Sequence, residues 1–376
     1  MNWEIPIAER CRKIDASGIR KVFELAAQRR AQGADLVDFS IGQPDFPVPD
    51  PIKNAAIQAI QADRNSYTMT QGIGELRGKI SQQYKERFGI EPDGVMITSG
   101  VSGGLVLMFL ATCQPGDEVI IVDPYFVMYK HLVTLAGATS VIVDSYPDFK
   151  LPIDKIARAI TPRTKILMIN SPSNPTGCVY DEKELKAAAE LARKHNLLLV
   201  SDEIYRQLAY DGDVASVVKF APERTLLLDG YSKNLALTGW RLGYAVGPKP
   251  LIEQMSKLQQ YTFVCAPSFA QYAAMEMDSC DLESKVADYR RRRNLIYDGL
   301  KERFKIVKPT GGFYIFPEAP GGDAKAFVEK ALAKDVLIIP GNVFSERNTH
   351  FRISYARDEA TIRKGIERLN DLAKSF

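Results

Sequence analysis

Gly230-Tyr231-Ser232-Lys233-Asn234-Leu235-Ala236-Leu237-Thr238-Gly239-Trp240-Arg241-Leu242-Gly243 is the stretch on which the fold and chemistry of this chain turn. It follows an apolar run, Thr225-Leu226-Leu227-Leu228-Asp229, with the length and composition of a strand buried on both faces. A hydroxyl, a lysine and an arginine then stand among small residues that let backbone approach a ligand closely. A lysine held there loses hydration, which disfavours its ammonium and frees a nucleophilic amine near neutral pH. Arg241 offers the fixed fork of donors that suits a phosphate monoester. An amine for an aldehyde and an anchor for a phosphate tail are what pyridoxal phosphate requires. The plain alternative is a surface lysine beside an unrelated salt-bridging arginine, and an isolated Ser-Lys pair would not exclude it.

Outward from this segment, short apolar runs alternate with amphipathic ones. Strands are expected at 95–99, 118–123, 139–144, 165–170, 197–203, 225–231 and 243–247. Leu185, Ala188, Ala189 and Leu191 fall near helical spacing and predict a helix over 182–195. Apolar strands alternating with helices mean an α/β fold with a mostly parallel sheet covered on both faces. Ligands of such sheets sit beyond the carboxyl ends of the strands. From about Leu282 the pattern changes to a long helix over 282–304, strands at 304–307, 312–316, 336–339 and 351–354, and helices at 324–334 and 360–373. That is the pattern of a smaller α+β domain.

The chain has 376 residues, 45% hydrophobic and 25% charged, a length that suggests about two domains. A net charge of +3 gives no strong pull toward nucleic acid or an anionic membrane. The run Arg290-Arg291-Arg292-Arg293 lies inside the expected long helix, so its side chains point in different directions and read as a solvated or interdomain face. Five scattered cysteines without a CxxC pair fit a reducing compartment and argue against disulfides or a zinc site. The three histidines do not cluster, so no metal is expected. No apolar stretch reaches signal-peptide or membrane-spanning length, and the expectation is a cytoplasmic protein.

Several strand ends carry residues suited to chemistry. Asp202 opens Asp202-Glu203-Ile204-Tyr205, and a carboxylate at a strand end can pair with a protonated ring nitrogen; alone it would read as a helix cap or surface acid. Glu203, its neighbour, falls on the opposite face. Asn170-Ser171-Pro172-Ser173-Asn174-Pro175-Thr176-Gly177 is a turn by composition. Thr98-Ser99-Gly100-Val101-Ser102-Gly103-Gly104 joins a strand to a helix, where backbone N–H groups and the dipole favour phosphate. Arg352, in His350-Phe351-Arg352-Ile353-Ser354, is a charge within an apolar strand and needs either a buried partner or a carboxylate ligand.

The segment around Lys233 resembles the lysine-attachment signature of the class I/II aminotransferases, of fold type I among pyridoxal phosphate enzymes. Motifs in the family's order extend the resemblance from about Asp38 to Ala356, with Ser171 inserted in the Asn-Pro-x-Asn-Pro-Thr-Gly loop. It implies a large cofactor-binding domain at 47–282 with a mostly parallel seven-stranded sheet, and a second part from 1–46 and 283–376. It implies that Lys233 carries the cofactor and shuttles the proton, that Asp202 holds the pyridine nitrogen, and that Tyr205 and Asn174 bond the ring's 3-oxygen. Val101, Ser102, Ser232 and Arg241 would cup the phosphate, and Phe126, rather than Tyr125, would stack on the ring. Arg352, with the backbone of Gly42 in Ser40-Ile41-Gly42-Gln43-Pro44-Asp45-Phe46, would take the substrate's α-carboxylate, and Asn174 would also contact the substrate. Tyr67 would reach the phosphate of the other subunit, which implies a homodimer with composite sites.

The implied activity is ping-pong transfer of an amino group from an L-amino acid to a 2-oxo acid such as 2-oxoglutarate. A lysine at the position of Ser102 serves acidic substrates in some bacterial aspartate aminotransferases, and this chain lacks it. Arg20 could substitute; Ile19, Tyr67 and Phe126 could instead form an apolar pocket, which favours neutral or aromatic donors over aspartate. A lyase of the same fold (a carbon–sulfur β-lyase or an aminocyclopropane carboxylate synthase-like enzyme) shares Lys233, Asp202, Tyr205 and Arg352. A non-enzymatic regulator carries an N-terminal DNA-binding extension, whereas only about forty residues precede Gly42 here.

Overall fold

In the computed structural model, which describes residues 5–15, 26–29, 31, 33–212 and 214–376, the apolar runs assemble largely as their pattern requires. Strand β1 (Val37–Asp38) precedes the main-sheet strands β2 (Gly94–Thr98), β3 (Glu118–Asp123), β4 (Thr139–Asp144), β5 (Thr164–Asn170), β6 (Leu198–Asp202), β7 (Thr225–Gly230) and β8 (Gly243–Gly247). These seven run in the order β2-β8-β7-β6-β5-β3-β4. Only β8 is antiparallel to its neighbours. Each of these seven expected strands is found within one residue of its predicted bounds.

The period-two alternation decides what each face buries. Ile121, Met168, Val200, Leu226 and Leu228 pack with Leu105 and Met108 of helix Gly100–Thr112. Ile120, Leu167 and Leu199 pack with Leu185, Ala188 and Ala189 of helix Glu182–His195. A reciprocal cap starts that helix: Asp181 accepts from the Glu184 N–H at 2.8 Å, and Glu184 accepts from the Asp181 N–H at 2.7 Å. With both faces covered, the exposed parts of the sheet are its ends. The register sets Asn170 of β5 beside Asp202 of β6, so two polar groups leave adjacent strands at one level.

Toward the C-terminus come β9 (Tyr314–Ile315), β10 (Val336–Leu337), β11 (Ile339–Pro340) and β12 (Phe351–Ser354). Strands β11, β12 and β9 form an antiparallel sheet, while β1 pairs with β10 in parallel. The stretch 336–339 therefore serves two sheets rather than one strand, and 312–316 shortens to β9. The long helix, Glu283–Leu300, stops short of Phe304, and 304–307 forms no strand. Its apolar content has another use: Phe304 turns into the core against the rings of Phe327 and Phe351, at 5.8 and 5.7 Å.

The four arginines within that helix are spread over several partners, with Asp288 shared by Arg291 and Arg292. Arg290 donates to the Tyr210 carbonyl, Arg291 meets Asp288 and Glu359, Arg292 meets Asp45 and Asp288, and buried Arg293 donates to the Pro309 carbonyl. Among the described residues no helix is long and apolar enough to cross a membrane, and no group of three or more His, Cys, Asp or Glu could hold a metal ion.

Candidate active site

Beyond the carboxyl ends of β5, β6 and β7 lies a cavity of about 290 Å³. Gly42, Val101, Ser102, Phe126, Asn174, Asp202, Tyr205, Ser232, Lys233, Arg241 and Arg352 all line it. The main sheet brings most of them together at its strand ends and the loops that follow, while Gly42 comes from the segment after β1 and Arg352 from β12.

At one end, β12 carries Arg352 into the interior, where it is 1% exposed. Its Nη2 donates to the Ser40 carbonyl at 2.8 Å and its Nη1 to Asn174 Oδ1 at 3.1 Å. The guanidinium lies 4.5 Å from the centre of the Tyr314 ring and 4.6 Å from that of Phe344. No carboxylate among the described residues forms an ion pair with it, and its Nε has no partner. A buried cation without a counterion is costly, so this geometry suits an anionic ligand.

In the middle, Lys233 Nζ donates to the Gly42 carbonyl at 2.6 Å. Burial pushes its pKa down to about 8, with the cations Arg352 and Arg241 adding to the effect and Asp202 opposing it. A side chain at position 42 would meet the buried Tyr314 hydroxyl and force it to move, which favours glycine there. Asp202 is buried, and burial raises its pKa to about 6 against the lowering effect of the Tyr129 hydroxyl, which donates to Oδ2 at 2.6 Å. Glu203 turns away from the cavity, accepting from Ser201 at 3.0 Å and Arg87 at 2.8 Å. The Asn174 backbone N–H donates to Asn170 Oδ1 at 2.9 Å and its Oδ1 accepts from Arg352, so its side-chain Nδ2 is the donor left for a ligand.

At the other end, helix Gly100–Thr112 begins without a side-chain cap on its first turn. Arg241 bonds Ser102 Oγ and the Thr238 carbonyl, each at 2.9 Å, and Ser232 lines the same wall. Gly100 has φ +69°, and a Cβ there would come within 2.6 Å of the Arg241 guanidinium. Tyr67 does not line this cavity. It is 84% exposed, on an adjoining cleft that shares Ser102 and Arg241. Ile19 and Arg20 lie outside the described residues.

Residues 34–369 match the family model for aminotransferase class I and II. The chain belongs to this family. It is 39% identical to a probable aspartate aminotransferase of Methanocaldococcus jannaschii, over 96% of this chain and 98% of the relative. It is 38% identical to the aspartate/prephenate aminotransferase of Thermus thermophilus, over 96% and 97%. The solved aspartate aminotransferase of Thermus thermophilus with maleate superposes at a TM-score of 0.94 and 36% identity, covering 98% of this chain and all of that one.

This aminotransferase is therefore a fold type I enzyme dependent on pyridoxal phosphate. Its residues fit that group on chemistry alone: an uncapped helix start with an arginine and serines for phosphate, an amine with a lowered pKa, and a buried carboxylate. Sequence reasoning missed two site residues. Tyr314 shares a 3.1 Å hydroxyl contact with Tyr205 and lies over Arg352, and the glycines 311–312 before an aromatic run were its only signal. Tyr129, in an aromatic stretch that reads as core, gave no signal.

Proposed function

We propose that Lys233 carries the cofactor, Asp202 meets its ring nitrogen, and Tyr205 with Asn174 donates to its 3-oxygen. In this reading Phe126 covers the ring, Val101, Ser102, Ser232 and Arg241 hold the phosphate, and Arg352 with the Gly42 backbone takes the amino acid's carboxylate. The observation that carries it is the buried Arg352, without a carboxylate partner among the described residues, sharing one cavity with an amine whose pKa is lowered to about 8. When bound, the cofactor supplies the electron sink that lets the substrate's α-proton leave. Lys233, neutral in a useful fraction, takes that proton and returns it one atom away. Arg352 fixes the α-carbon within reach of the amine. Borohydride reduction followed by peptide mass spectrometry should find the cofactor on Lys233; attachment elsewhere sinks the assignment.

The donor is a neutral or aromatic amino acid, passing its amino group to a 2-oxo acid in a ping-pong cycle. Three cations line the cavity, and each already has an assignment; among the described residues no fourth stands ready for a distal carboxylate. Ser102, where a cation could have served, is held by Arg241. Single-turnover reactions with individual amino acids should run at least about tenfold faster with tyrosine, phenylalanine or leucine than with aspartate, the worth of one missing charge-assisted contact. Aspartate leading the series would overturn this specificity and favour the substrate named for the relatives above.

The active form in this reading is a homodimer. Exposed Tyr67, Met69, Tyr261 and Phe263 give the face beside Arg241 the apolar character of an interface, and a second copy would cover the cleft there. Light scattering should give twice the 41.9 kDa chain mass. The division into 47–282 and 1–46 with 283–376 is part of the same reading, supported by the separate apolar cluster that joins Val37 and Phe39 to Ile296, Phe327 and Phe351.

A further inference from the structure

We propose that Tyr129 is a positioning residue for this enzyme, its hydroxyl fixing the orientation and the charge of Asp202. The inference rests on the reading of Asp202 as the partner of the ring nitrogen. The Tyr129 hydroxyl donates to Asp202 Oδ2 at 2.6 Å, within the range of strong bonds to a carboxylate, and both side chains are 2% exposed. The second donor to this carboxyl group, the Ile204 N–H, is much longer at 3.3 Å to Oδ1. No cation among the described residues forms an ion pair with Asp202.

The other groups that face it cannot do the same work. Glu203 on its own segment and Asp229 on β7 are like charges that oppose ionisation, while the Tyr205 hydroxyl is paired with that of Tyr314. Lys233 favours the carboxylate, but its amine is bonded to Gly42 and in the working enzyme is committed to the cofactor. A buried carboxylate in such company is kept ionised by dipoles or not at all. Tyr129 is the dipole aimed at it.

The chain locks this donor in place. Tyr129 stands at the start of helix Met128–Leu135, its N–H bonded to the Phe126 carbonyl at 3.0 Å. Its ring meets that of Phe126 edge-on at 5.7 Å and packs among Leu132, Ile121 and Met168. One loop therefore sets both the aromatic face on the cavity and the donor behind the carboxylate. A rotation of Tyr129 would need this cluster to open.

The test is the affinity of the cofactor-free full chain for pyridoxal phosphate as a function of pH, followed by fluorescence. Tyr129→Phe keeps the ring and removes the donor. Its affinity should begin to fall at a pH about one unit higher than in the parent, be about twofold weaker at pH 7 and about tenfold weaker below both inflections, because one bond to a charged group is lost. 3-Fluorotyrosine at position 129, isosteric but a stronger donor, should move the inflection the other way, and it decides the matter if Tyr129→Phe melts early. Inflections unmoved by either change overturn the proposal. Asp202→Asn should abolish the inflection; if it persists, the ring-facing role of Asp202 has failed and the proposal's premise with it. Carbon-13 titration of the Asp202 carboxyl in the cofactor-free chain separates the two failures, since a titration indifferent to Tyr129→Phe overturns the Tyr129 role alone.

Discussion

Arg352 and Arg241 stand at opposite ends of one cavity, and the fold treats them in opposite ways. Arg352 is sealed in apolar and aromatic surroundings with two neutral acceptors and, among the described residues, no counterion. Arg241 is exposed, in a left-handed backbone conformation (φ 53°), with Ser102 and a carbonyl to hold it. The buried cation is an expensive arrangement that only an arriving anion offsets, so its attraction is strong and little screened. The exposed one costs little to keep, and its attraction is weakened by water and salt. A ligand that comes and goes each turnover suits the first, and a resident phosphate with several other donors suits the second.

The sharpest way to break that contrast is to remove each arginine and ask what is lost. Arg352→Leu should lower kcat/KM for any amino acid about 10³-fold, the cost of leaving a carboxylate buried without its partner. Its cofactor affinity should stay close to the parent's, and a parallel collapse of cofactor binding would erase the distinction between the two ends. Arg241→Gln should do the reverse. Cofactor affinity should fall about ten- to a hundredfold, as for one or two bonds to a charged group, with little change in amino-acid KM. Raising salt should weaken cofactor affinity in the parent more than in this variant.

The two ends also differed in how legibly the sequence announced them. Arg241 lies eight residues beyond Lys233, so a local motif reports both, and the apolar run before it places them at a strand end. The strands themselves were readable because double burial leaves near-continuous apolar runs, with little room for another register. From its own surroundings Arg352 was visible as a charge in an apolar strand, and its role came from the family resemblance; that its partners are Ser40 and Asn174 depends on long-range packing. Tyr129 and Tyr314 were hidden for the same reason, since an aromatic beside other aromatics reads as core whether or not its hydroxyl has a task. Phe304 misled in the opposite sense: an apolar run of strand-like composition marked a core contact after a helix. Of the apolar pocket read from Ile19, Tyr67 and Phe126, Phe126 stands on the cavity wall and Tyr67 on the adjoining cleft, while Ile19 lies outside the described residues.

The smallest effect is the most direct comparison of the two arginines, because Lys233 lies between them and feels both. Burial lowers the Lys233 pKa to about 8, and the Arg352 cation lowers it more than the Arg241 cation does. A lysine with a lowered pKa is neutral, and so reactive toward an aldehyde, above that value. The rate at which the cofactor-free chain attaches pyridoxal phosphate, read by absorbance, should therefore rise with pH and level off above about 8. Deleting a neighbouring cation restores the ammonium, so each variant should move the inflection upward and slow attachment at pH 7. The rise should be larger for Arg352→Leu than for Arg241→Gln, because solvent screens the exposed charge and not the buried one. Equal rises would mean that both ends of the cavity share one dielectric environment, and a larger rise for Arg241→Gln would mean that the cleft beside it is closed in solution, as a second copy of the chain would close it.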